Sequence, residues 1–100
     1  MRIISKRKLR EFWETHPRGA DARAPLDVWY AVVQHADWTT PADVKSTYPH
    51  ASILKNGRVV FNIGGNKFRL VALINYRAQI VYIRFVGTHH EYDDINAETI

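Results

Sequence analysis

The residues with chemical reach gather where one apolar run ends. Positions 86–95 read Val86-Gly87-Thr88-His89-His90-Glu91-Tyr92-Asp93-Asp94-Ile95, with Arg84 just ahead and Arg69 in the apolar run before that. Three chemistries compete for them. A metal site would use His89 with Asp93, or His90 with Asp94, pairs four apart that share a helix face and suit imidazole and carboxylate ligation. The two pairs point in different directions and no third ligand has a matching spacing, so neither metal nor cofactor is expected. A phosphate cradle at Gly64-Gly65-Asn66-Lys67 lacks the longer P-loop spacing and is followed by an extended run instead of a helix. The third chemistry is cleavage of RNA by its own 2′-hydroxyl. It needs a group to take that proton, cations to stabilise the crowded phosphorane, and a group to protonate the leaving 5′-oxygen. Histidine titrates near neutrality, tyrosine donates a proton or stacks on a base, and arginine clamps phosphate oxygens in pairs. His89, Tyr92, Arg69 and Arg84 supply that set. Each also has a plainer reading: Arg84 pairs with Asp93 or Asp94, His89 caps a helix, and Tyr92 packs at the edge of the fold.

Charge points the same way. Of the 14 basic and 10 acidic side chains in the 100 residues, the stretch 53–87 holds Lys55, Arg58, Lys67, Arg69, Arg77 and Arg84 and no carboxylate. Such a stretch suits phosphate, because each cation placed on a nucleic-acid backbone releases a counterion; the alternative is an ordinary solvated sheet surface. Lys55, Arg58 and Lys67 are the cations expected to steer RNA. The absence of cysteine excludes a disulfide scaffold, a thiolate metal site and a cysteine nucleophile. Residues 1–10 carry Arg2, Lys6, Arg7, Lys8 and Arg10 with no apolar run behind them, so neither a signal peptide nor a membrane span is expected, and the location read from this is cytoplasmic.

One domain, residues 1–100, must position these groups. Residues 1–4 suit an edge strand. Ser5 is placed to cap a helix in which Leu9, Phe12, Trp13 and His16 share one face up to Pro17, and Leu26, Trp29, Tyr30 and Val33 form the stripe of a second, with Ala22 as a possible extension. Thr40-Pro41-Ala42-Asp43 opens a third, short helix that Pro49 ends. Trp13, Trp29 and Trp38 read as core. From Ser52 the period becomes extended. Residues 59–63, 68–75 and 80–86, separated by Gly64-Gly65-Asn66 and Tyr76-Arg77-Ala78, predict an antiparallel meander with the middle run central, while 53–55 is a further strand or a loop. Alternation puts Val81, Ile83 and Phe85 on one face and Tyr82 and Arg84 on the other, with Arg69 on the face of Val71 and Leu73. The predicted class is α+β: two to three N-terminal helices packed on a three- to five-stranded antiparallel sheet, ending in a short C-terminal helix or tail.

The run Val60-Phe61-Asn62-Ile63-Gly64-Gly65-Asn66-Lys67-Phe68-Arg69-Leu70, followed by Val81-Tyr82-Ile83-Arg84-Phe85-Val86-Gly87-Thr88-His89-His90-Glu91-Tyr92-Asp93, resembles the HigB family of bacterial type II toxins within the RelE-like superfamily. The likeness extends over essentially the whole chain, through Met1-Arg2-Ile3-Ile4, the helix of Leu9, Phe12 and His16-Pro17, Ala36-Asp37-Trp38 and Ala51-Ser52-Ile53. It implies a ribosome-associated mRNA interferase that cuts translated messages, neutralised by a helix-turn-helix antitoxin of the HigA type, with operator DNA bound only through that antitoxin. Carried over by position, the strand arginines are Arg69 and Arg84, the C-terminal histidine and tyrosine are His89 and Tyr92, and Asn66 and Lys67 occupy the turn that would contact the RNA backbone. His90 stands where the family usually has a small residue, so only His89 belongs to the pattern. The acids Glu91, Asp93 and Asp94 are expected to steady Arg84 or nearby cations and to end the sheet. A non-catalytic RNA- or ribosome-binding module using the same basic sheet is the alternative, and a protein that only binds the antitoxin a further one.

Overall fold

Apolar side chains at helical spacing in the first half of the chain have only one large surface to cover, the sheet made by the second half. The computed structural model describes all 100 residues. Helix α1, Lys6–Thr15, buries Leu9 and Phe12; helix α2, Arg23–His35, buries Leu26, Trp29 and Val33. A single-turn 3-10 helix, Gly19–Ala22, joins them and takes in Ala22, which is therefore outside α2. It passes so close beneath α1 that a Cβ on Gly19 would sit 2.7 Å from the Trp13 Cα, which excludes every other residue there. Ser5 precedes α1 as expected, but its side chain makes no capping hydrogen bond. Helix α3, Pro41–Thr47, is held at its start by Asp43, whose carboxylate accepts from the Thr39 and Thr40 N–H groups (2.8 and 3.2 Å) and the Thr39 hydroxyl (2.9 Å).

Five strands follow the order β1-β5-β4-β3-β2, with β1 at Arg2–Ile4, β2 at Ser52–Ile53, β3 at Arg58–Ile63, β4 at Phe68–Asn75 and β5 at Ile80–Thr88. The meander β2-β3-β4-β5 is antiparallel and β4 is central. β1, however, pairs parallel with β5, so the sheet is mixed and not wholly antiparallel. The three helices lie between β1 and the meander, and that long connection allows the parallel return a tight hairpin forbids.

The sheet face under the helices carries Val59, Phe61, Ile63, Phe68, Leu70, Ala72, Ile74, Val81 and Ile83, which join the helix residues, Trp38 and Val44 in the main core. Trp29 and Phe61 meet edge to face at 5.4 Å, and burial of such side chains is worth roughly 1.5–3 kcal/mol each. The outer face is covered differently. There Val60 and Val71 pack beneath Ala97, with Leu54, Phe85, Tyr92, Ile95 and Ile100 around them, so the chain's last residues fold back over the strands.

One expectation fails on β5. Ile83 pairs with Ala72 but Phe85 pairs with Val71, so two steps on β5 match one on β4 and Arg84 is the extra residue of a bulge. The bulge inverts the alternation. Phe85 leaves the face of Val81 and Ile83 and joins the outer cluster with Tyr92.

Candidate functional site

Strand alternation puts Asn62 and Arg69 on the outer face, and the β3–β4 register sets them side by side; on the other flank Arg69 faces Gly87. The turn at 64–67 fixes the arginine. Its Nη1 donates to the carbonyl oxygens of Asn66 and Phe68, both at 3.2 Å, and its Nη2 to the Asn66 Oδ1 at 3.3 Å. The outer edge of the guanidinium fork is thereby occupied. The Nε–H and the second Nη2–H donate to nothing in the chain, and these two form the side-on pair that fits two oxygens of one phosphate. No carboxylate pairs with Arg69, since the chain's three ion pairs are Arg7–Glu11, His16–Glu91 and His89–Asp93.

Gly87 matters for what stands beside that fork. A Cβ there would come within 2.5 Å of the Phe85 Cζ and 3.1 Å of a Glu91 carboxylate oxygen, so the Phe85 ring lies across the glycine. Beyond it, helix α4, His89–Asp93, starts directly at the end of β5. Thr88 caps it: its hydroxyl accepts from the Glu91 N–H (3.2 Å), while the Glu91 carboxylate accepts from the Thr88 N–H (2.8 Å). The His89 N–H also donates to the Lys67 carbonyl at 3.2 Å, which ties α4 to the turn that holds Arg69.

The sequence-derived residues are thus divided. Arg69, Asn66, Lys67 and His89 meet at one end of the sheet through the bonds just described. His89 is exposed, with its Nδ1 3.6 Å from an Asp93 oxygen. Tyr92 is half-buried because its ring belongs to the outer apolar cluster. Arg84 is exposed at the bulge, further back along β5. Arg58 and Lys55 lie towards the other end: Arg58 is four residues from Asn62 along β3, about 14 Å at strand rise. The Arg58 guanidinium is moreover held by the Ile100 backbone oxygen (2.8 and 3.2 Å) and the Asn56 carbonyl (3.1 Å).

Glu91 ends the sheet as expected, through the cap with Thr88 that starts α4, but the acids do not steady Arg84. None of them pairs with Arg84. Glu91 instead meets His16, at the end of α1, with Nε2–Oε distances of 3.0 and 3.1 Å. The His16 Nδ1 accepts from the Arg18 N–H at 3.0 Å, so the proton sits on Nε2 and is donated to Glu91. The Thr88 N–H foremost, and then His16, hold the Glu91 carboxyl below its ordinary pKa. Sequence marks His16 as the last position of a helical stripe and as part of the family likeness, but with no partner. Nothing local in sequence could reveal a partner seventy-five positions away.

Comparison with known proteins agrees with this architecture. The HigB toxin family, described as the RelE-like toxic component of a toxin–antitoxin system, matches residues 22–95. The mRNA interferase HigB of Escherichia coli O6:H1 is 31% identical over 97 residues, covering 95% of this chain and 91% of the relative. The mRNA interferase toxin HigB of Escherichia coli (strain K12) and the mRNA interferase HigB of Shigella flexneri are each 30% identical over 99 residues, covering 97% of this chain and 92% of the relative. With its α+β architecture, the family match over residues 22–95 and near full-length similarity to these proteins, the chain belongs to the HigB family of RelE-like toxins.

Proposed function

We propose that this toxin is a metal-independent endoribonuclease, an mRNA interferase acting on translated messages at the ribosome in the bacterial cytoplasm. A helix-turn-helix antitoxin of the HigA type silences it, and operator DNA is bound only through that antitoxin. Relatives named mRNA interferase, family membership among toxin–antitoxin components and the carboxylate-free basic stretch support the reading. No helix is long and apolar enough to cross a membrane. The observation that carries the chemistry is the Arg69 fork, locked on one edge by Asn66 and open on the other.

In this reading the RNA backbone lies across the outer end of β4 and β5. Arg69 binds two non-bridging oxygens of the scissile phosphate and stabilises the charge that builds as the 2′-oxygen attacks. The new 2′-O–P bond forms as the P–O5′ bond breaks, leaving a 2′,3′-cyclic phosphate and a 5′-hydroxyl. His89 and Tyr92, three apart on α4, take part in proton transfer or stack on a base. Arg84, free of any acid, adds positive charge along the strand, and Lys67 and Asn66 hold the backbone. Lys55 and Arg58 lie further along and steer the entering strand, Arg58 after release from Ile100.

The test is incubation with translating ribosomes and mapping of new RNA ends. Wild type should create 5′-hydroxyl ends, and Arg69→Ala should reduce them by roughly 10²–10³ while melting like wild type. Ribosome binding without new ends would favour the non-catalytic RNA-binding module.

A further inference from the structure

Beside the Arg69 fork, on the β3 side, is a cleft of about 380 Å³ lined by Tyr48, Pro49, His50, Asn62, Gly65 and Asn66, of which only Asn66 enters the steps above. We propose that it is a nucleobase subsite that receives one unpaired base of the RNA whose phosphate Arg69 binds; this rests on the function proposed above.

Three features of the cleft support a base as its occupant. The first is position. β2 covers β3 only as far as the Ser52–Val60 pair, so the strand beyond is open on that side at Asn62. Asn62 is also the register neighbour of Arg69, and Asn66 is its hydrogen-bond partner. A base in the cleft would therefore lie beside a phosphate held on the fork.

The second feature is chemistry. The lining includes no carboxylate, lysine or arginine, which disfavours a charged ligand. The Asn66 Oδ1 is turned to Arg69, so its amide NH₂ carries the remaining donors, while Asn62 offers both a donor and an acceptor. Neutral carboxamides of this kind read the hydrogen-bonding edge of a base. The exposed His50 imidazole supplies a ring on which a base can stack.

The third is preorganisation. The wall at 48–51 is pinned by Lys45, whose ammonium donates to the carbonyls of Pro49 (2.6 Å) and Ala51 (2.9 Å), and by the Ala51 N–H on the Tyr48 carbonyl (3.0 Å). Behind it Tyr48 is locked edge-on against Phe61 at 5.3 Å. The opposite wall is low, because Gly65 has φ +69° and nothing within 4 Å of where its Cβ would be. A rigid slot with one open side loses little entropy when a flat ring enters.

The experiment uses the whole chain and a non-cleavable trinucleotide, 2′-O-methylated, with 2-aminopurine at each position in turn. Stacking should quench the fluorescence at one position only. His50→Ala and Asn62→Ala, both at exposed sites and checked by thermal melting, should weaken that quench and the affinity by roughly ten-fold. Arg69→Ala should weaken binding while keeping the quench at saturation. The absence of any position-selective quench with wild type, or an unchanged quench in both cleft variants, would overturn the subsite. On translating ribosomes the same two variants should still cut but with a flattened base preference at one position. Position-selective quenching with no cutting by wild type would leave the subsite standing and remove the nuclease reading instead.

Discussion

The His16–Glu91 bond fixes α4 to α1, and its removal should loosen the helix that carries His89 and Tyr92. His16→Ala removes a 3.0 Å hydrogen bond to a carboxylate whose side chain is about half exposed, so that bond is worth only about 0.2–1 kcal/mol. It also removes a ring contact with Phe12 at 4.6 Å, about 0.5–1.5 kcal/mol more, and leaves the Arg18 N–H without its acceptor. The sum is roughly 1–2 kcal/mol, or about 4–16 °C in melting temperature for a domain of this size. Glu91→Gln keeps an oxygen for the Thr88 N–H and loses the charge, so it should cost less than His16→Ala. Because the Glu91 pKa is lowered by folding, its contribution is fully present above the ordinary value of 4.5 and disappears as pH falls through the lower folded value. Thermal unfolding of wild type, the two single variants and the double variant should give a coupling energy near 0.5 kcal/mol at pH 7 that vanishes in acid. A coupling of zero at pH 7, or one that grows below pH 4, would refute the reasoning.

Two further substitutions address elements around the site. Gly87→Ala places a Cβ against the Phe85 ring, which must swing out of the outer cluster; a destabilisation of about 1–3 kcal/mol is expected by chemical denaturation, and an unchanged midpoint would show that the ring gives way freely. Asp43→Ala should lower the melting temperature at pH 7. Its carboxyl is held below the ordinary 3.8 first by the Thr39 N–H, then by the Thr39 hydroxyl and the Thr40 N–H, so the gap between wild type and variant should close as the pH falls below that value. A gap that persists at low pH would mean that α3 is stabilised by something other than this charge.

How far sequence reached can be judged element by element. Leu9 and Phe12, or Leu26, Trp29 and Val33, announce helices with one buried stripe because helical spacing is a local property, and the glycine-rich and Tyr76-Arg77 turns announce a meander for the same reason. Alternation in turn put Arg69 on the face of Val71, and only the packed helices made that the outer face. The motifs around Arg69 and His89 also sufficed to indicate the family. Relations between distant segments were not legible. A bulge is one residue's mismatch between two strands, so nothing in residues 81–86 alone could reveal that Phe85 and Arg84 depart from alternation. The parallel pairing of β1 with β5, the Arg58–Ile100 clasp and the His16–Glu91 bond each depend on where remote backbone arrives.

Sequence by itself therefore determined the element types, the face on which Arg69 stands and the absence of carboxylates from residues 53–87, all set by spacing and composition. Only the tertiary structure decided that the arginine fork is half occupied by its own turn, that Glu91 caps α4 and meets His16 rather than Arg84, and that a cleft opens between His50, Asn62 and Asn66. Hydrogen bonds and clefts are fixed by distances of a few ångströms between segments far apart in the chain, and residue order does not specify those distances until the core has packed.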